Sequence, residues 1–86
     1  MPSKTVTVGS AVGLHARPAQ LIAEAVEELD ADVLIGLVGQ EPVDAGSSLM
    51  IMTLGAGNGD QVEVSSEDPA ALEHVAAMVE KDLDAV

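Results

Sequence analysis

The 86-residue chain carries 15 acidic residues against three basic ones, a formal net charge of −12, and has neither cysteine nor any aromatic residue. Disulfides, thiol catalysis and cysteine-based metal sites are excluded, as are the aromatic platforms on which nucleic-acid bases stack. So acidic a surface repels phosphate backbones and anionic lipids, so nucleic acid and membranes are not expected partners; the charge serves solubility alone or steers basic protein surfaces toward it.

The length suits one domain over residues 1–86, burying only about 60% of the surface its unfolded chain exposes. Such a core leaves no room for a deep active site, and function is expected on the surface. No apolar signal core follows Met1, and no apolar run approaches the roughly 20 residues that span a membrane. The expectation is a soluble, cytoplasmic protein whose core is built from Val, Leu, Ile, Met and Ala.

Lys4 to Val8 alternate polar and apolar and read as a half-buried strand. Gly9 to Gly13 form a loop. From Ala16 to Leu29 the pattern turns helical, with Ala19, Ile22, Ala23, Val26 and Leu29 on one face and Gln20, Glu24, Glu27 and Glu28 on the other. Asp30-Ala31-Asp32 ends it. Val33 to Val38 form a second strand, Gly39 to Pro42 a turn, and Val43 to Ala45 a short strand.

Residues 47 to 54 suit a buried strand as well as a short helix. Ser47 as a cap and Gly55 as a terminator favour the helix. Gly55 to Asp60 form a turn, and Gln61 to Ser65 alternate again with Val62 and Val64 facing in. Asp68-Pro69 opens a last helix, with Asp as cap and Pro at the first helical position. Its apolar stripe is Leu72, Val75, Ala76, Val79 and Leu83. The order is βαββαβα, an α+β arrangement in which helices cover one face of an antiparallel sheet.

The chemistry concentrates at Gly13-Leu14-His15-Ala16-Arg17-Pro18-Ala19. A proline is tolerated in a helix only within the first turn, so Pro18 places His15 at or just before a helix start. There the N–H groups of Ala16 and Arg17 and the positive end of the helix dipole attract an anion, and Arg17 adds a planar cation suited to phosphate. Histidine is largely uncharged at neutral pH, which leaves a ring nitrogen able to attack phosphorus. A histidine in this position also serves commonly as a cap or a plain surface residue. A third possibility from the same residues is a small α+β domain in which His15 and Arg17 hold an anion without covalent chemistry.

The segment GLHARPA at 13–19 resembles the active-site signature of the HPr family, the histidine phosphocarriers of the bacterial phosphoenolpyruvate-dependent sugar phosphotransferase system. The likeness extends over the length, the element order, DADV at 30–33 and SSLMIMTLG at 47–55. The resemblance implies an open-faced βαββαβα sandwich, with four antiparallel strands and three helices on one face. It implies a carrier rather than an enzyme. Phosphate would come from enzyme I onto Nδ1 of His15, with Arg17 beside it, and pass to sugar-specific enzyme IIA units. A regulatory, nitrogen-type paralogue would share these features.

Ser47 falls where the family places a regulatory serine, which makes an HPr kinase a further candidate partner. The same serine is otherwise a helix cap. Leu49, Met52 and Leu54 have the spacing of core residues, and the resemblance places them on the partner-docking face together with the first helix. His74 reads as a solvated surface residue. The run Glu24, Glu27, Glu28, Asp30 and Asp32 reads as a solvated face without metal-ligand spacing. No cofactor or metal is expected, and a monomer is.

Overall fold

A computed structural model describes residues 2–11 and 13–81. In chain order the elements are β1 (Ser3–Thr7), α1 (Ala16–Leu29), β2 (Val33–Leu37), β3 (Val43–Asp44), α2 (Ser48–Thr53), β4 (Gln61–Ser66) and α3 (Pro69–Glu80). The strands form one sheet in the order β1-β4-β2-β3, with each neighbouring pair antiparallel. The expected βαββαβα order and open-faced sandwich are both present.

The register explains why only one face is covered. Val6 pairs with Val62 and Val62 with Leu37, while Ile35 pairs with both Val64 and Val43, so apolar side chains fall in rows on the same side of the pleat. These rows join Ala19, Ile22 and Val26 of α1, Ile51 of α2 and Leu72, Val75 and Val79 of α3 in one core. The opposite rows carry Thr5 against Glu63 and Ser3 against Ser65, and Thr5, Glu63 and Ser3 are exposed. Gly36 is the exception on that open face: it is buried, and a Cβ there would lie 2.8 Å from the Pro42 Cα. The β2–β3 loop therefore packs against the sheet where no side chain intervenes.

The segment that periodicity left between strand and helix folds as a helix. Ser47 caps α2, its Oγ accepting from the Met50 amide at 3.3 Å, and Gly55 follows with φ +66°. Asp68 caps α3 by accepting from Ala70 and Ala71 at 3.0 and 3.3 Å, with Pro69 next. Asp30 ends α1 in the left-handed region, φ 51°, donating its amide to the Glu27 carbonyl.

One reading of the sequence needs adjusting. Leu29 lies on the margin of the apolar face of α1, 36% exposed, at the last position of the helix. Lys4 lies on the helix side of β1, and its Nζ reaches the Glu73 carboxylate of α3 at 3.1 Å. Both partners are largely exposed, so the pair adds little stability. Leu83, assigned to the stripe of α3, lies outside the described residues. Among the described residues no helix is long and apolar enough to cross a membrane.

Asp68→Ala removes both capping bonds of α3. The expected cost is about 1 kcal/mol, read by thermal unfolding as a fall in Tm of roughly 4–8 °C.

Candidate functional site

His15 is the N-cap of α1. Its backbone is extended (φ −92°, ψ −162°), its side chain makes no capping bond, and its carbonyl accepts the first rung of the helix from Ala19 at 2.9 Å. The imidazole is exposed at the positive end of the helix dipole and is not spent on capping the helix.

The position of this histidine is set by its neighbour on each side. Leu14 is buried in the core, and its amide donates to the Ala56 carbonyl at 2.9 Å. Ala16 begins the helix, and Pro18 is buried inside the first turn. With Leu14 pinned inward and α1 starting two residues later, His15 is left facing solvent. Gly13 makes the crossing possible. Its φ is +76°, and a Cβ on it would lie 2.5 Å from the Ala56 oxygen and 2.7 Å from the Gly57 Cα.

The loop beneath is itself tied at several points. Asp60 accepts from the Gly57 amide through Oδ2 at 2.8 Å, and the Asp60 amide donates to the Gly57 carbonyl at 3.0 Å. The Asn58 side-chain amide donates to the Ser10 carbonyl at 3.1 Å and the Gly9 carbonyl at 3.4 Å, clamping the loop that leads to the histidine. Gly9 in turn donates its amide to the Val79 carbonyl at the end of α3 at 3.0 Å. None of this support was legible in the sequence, where residues 55–60 read only as a turn. The glycine at 13 was the one local signal of a close backbone approach.

A shallow cavity of about 270 Å³ opens beside the imidazole, lined by Leu14, His15, Met52, Gly55, Ala56 and Gly57. Arg17 is exposed in the first turn of α1, two residues from the histidine. A second cleft, of about 330 Å³, lies between α1 and α2 and is lined by Gln20, Ala23, Glu24, Glu27 and residues 46–49. Ser47 is half-buried in this cleft.

The three expected docking residues separate. Met52 borders the histidine cavity and, like Leu54, is half-buried against the core. Leu49 projects from α2 at 67% exposure. Met50, which the sequence reading did not single out, is 41% exposed beside it. His74 is exposed on α3, and among the described residues no group of three or more His, Asp or Glu could hold a metal ion.

Comparison with known proteins finds relatives over most of the chain. Residues 2–81 match the family described as "PTS HPr component phosphorylation site". The chain is 37% identical to the phosphocarrier protein HPr of Streptomyces coelicolor, over 98% of this chain and 94% of the relative. It is 32% identical to the phosphocarrier protein NPr of Escherichia coli K12, over 88% of this chain and 84% of that one. The crystal structure of a phosphocarrier protein HPr from Bacillus anthracis superposes with a TM-score of 0.82 at 36% identity, covering 91% of this chain and 95% of the other.

Gly13 and Gly39 both have positive φ, but nothing lies within 4 Å of a Cβ built on Gly39. Gly39→Ala is therefore expected to cost only backbone strain, about 1–2 kcal/mol. Gly13→Ala adds the collision with residues 56–57 and is expected to cost a further 1–3 kcal/mol or so. Thermal unfolding gives the ranking, and amide chemical shifts at Leu14 and His15 should move only in Gly13→Ala.

Proposed function

The chain belongs to the HPr phosphocarrier family of the phosphotransferase system, and from that premise we propose that His15 is the residue that carries the phosphoryl group. The observation that supports this reading most is an exposed imidazole at a helix N-terminus whose side chain takes no part in capping. In the transfer a bond forms between Nδ1 of His15 and phosphorus while the bond from phosphorus to the donor breaks, its electron pair leaving with the donor. Delivery to an acceptor runs the same exchange in reverse.

What the site must do is hold three phosphoryl oxygens briefly and let go. Backbone donors at the start of α1 and the helix dipole favour the added charge. The Arg17 guanidinium can meet two oxygens at once. The cavity beside the ring is open and shallow, which suits a group handed between two proteins and not one retained in a pocket. The donor in this reading is enzyme I and the acceptors are enzyme IIA units. The chain acts stoichiometrically, with no turnover of its own.

Ser47 has a structural duty as the cap of α2. Its phosphorylation by an HPr kinase is a separate proposal, and the surroundings define its effect. A phosphate there would enter a cleft that already holds Glu24 and Glu27, adding like charge to the face that partners approach.

Incubation with phosphoenolpyruvate and enzyme I should add one phosphate that is labile in acid and stable in base. The label should vanish in His15→Ala and persist in Ser47→Ala; a label surviving in His15→Ala overturns the assignment. Arg17→Ala should slow transfer by about 100- to 1000-fold with the thermal transition little changed. A lowered Tm at an unchanged rate would give Arg17 a structural role instead. Phosphorylation of Ser47 would be recognised as an acid-stable label that requires ATP and the kinase.

A further inference from the structure

Charge is distributed unevenly over the face around His15. Arg17, Gln20, Glu24 and Glu27 follow one another at spacings of three and four, a single stripe down α1, and all four are exposed. The stripe starts positive, at Arg17 and the helix dipole, and ends negative about 15 Å further along the axis. The helix alongside it carries no charge at all: α2 reads Ser-Leu-Met-Ile-Met-Thr. In a chain of net charge −12, that helix exposes Leu49 and Met50, and the cleft separating it from α1 has Glu24 and Glu27 on its wall with Leu49 on its lip.

We propose that this face docks onto a partner protein presenting one or two Lys or Arg side chains beside an apolar patch. The cations enter the cleft against Glu24 and Glu27, and the apolar side chains cover Leu49 and Met50. The inference rests on the carrier reading, which supplies the partner, and adds the chemistry by which that partner is recognised. The complementary pattern on the partner is therefore also polar in direction. Its phosphoryl-bearing end meets Arg17 and the helix start, and its basic end lies further along α1, which fixes the orientation of a small and short-lived contact.

An apolar contact alone would leave two carboxylates desolvated at its edge, which disfavours any partner lacking cations there. Opposite charges at that position instead raise the rate of encounter, and salt weakens the effect. Glu41 and Glu63 provide the comparison. Both are exposed, Glu63 on the open face of the sheet and Glu41 in the β2–β3 loop packed against that face, so reversing them changes net charge equally without touching the cleft.

The test measures the rate of His15 labelling by phospho-enzyme I from the same organism, at low protein concentration and across a range of KCl. Wild type should slow as salt rises. The double variant Glu24→Lys/Glu27→Lys should be slower by roughly tenfold at low salt and lose most of its salt dependence. Glu24→Gln/Glu27→Gln, the gentler change, should fall between, and Glu41→Lys/Glu63→Lys should stay near wild type. A rate unchanged or raised in the cleft variants overturns the inference, as does an equal loss in the Glu41/Glu63 variant, which would assign the effect to net charge alone. Absence of labelling in the wild type would instead sink the carrier reading itself.

Discussion

One hydrogen bond organises the functional end of the molecule: the Leu14 amide donating to the Ala56 carbonyl at 2.9 Å. It ties two loops that are 42 positions apart in the chain and meet where α1 begins. Leu14 is buried on one side of that bond and His15 exposed on the other. The imidazole is displayed because its neighbour is held. A glycine at 13 is the condition for the contact, since any Cβ would occupy the space of residues 56–57. The clamp from Asn58 and the Asp60 turn stiffen the lower loop, so that the histidine is carried on a scaffold anchored to β1, β4 and the end of α3.

The sheet supplies the other half of the design. Its rows of valine and isoleucine bury one face under three helices, and the opposite face carries Thr, Ser and Glu, a half-buried Leu34 and the β2–β3 loop packed on Gly36. With the core committed to one side, α1 and α2 lie next to each other and leave a cleft between them. The histidine cavity and this cleft are both shallow, in keeping with a core too small to enclose a substrate. In the proposed reading recognition falls to surface chemistry: exposed Leu49 and Met50, the carboxylates of α1, and Arg17 at its head.

Among the described residues, buried polar side chains are few and satisfied. Ser66 is fully buried, yet its Oγ donates to the Asp32 carbonyl at 2.8 Å and accepts from the Asp68 amide at 3.1 Å, joining the start of β2 to the entry of α3. Such a residue substitutes poorly, because removing it strands two partners at once. The alternating pattern of β4 stops at Ser65 in a reading of the sequence, and the extension to Ser66 follows from its pairing with Val33 and from its amide donating to the Pro2 carbonyl at 3.0 Å.

The chain by itself determined whatever depends on neighbours a few residues apart. Proline at 18 set the start of α1, Asp68-Pro69 that of α3, and alternation placed Val62 and Val64 inward, because caps, ring constraints and side-chain periodicity act over one or two turns. Ser47 and Gly55 tipped the balance for α2 in the same way. The histidine segment was read through its resemblance to the HPr signature, while its residues alone fixed only a histidine and an arginine at a helix start and left a cap, a surface residue and an anion site open. Tertiary structure alone decided that Ala56 and Asn58 support the histidine, that Lys4 reaches Glu73, that Leu29 lies at the margin of the core, and that Glu24, Glu27 and Leu49 share one cleft. Each joins segments distant along the chain, and such contacts follow from how whole elements pack, which no local pattern of residues encodes.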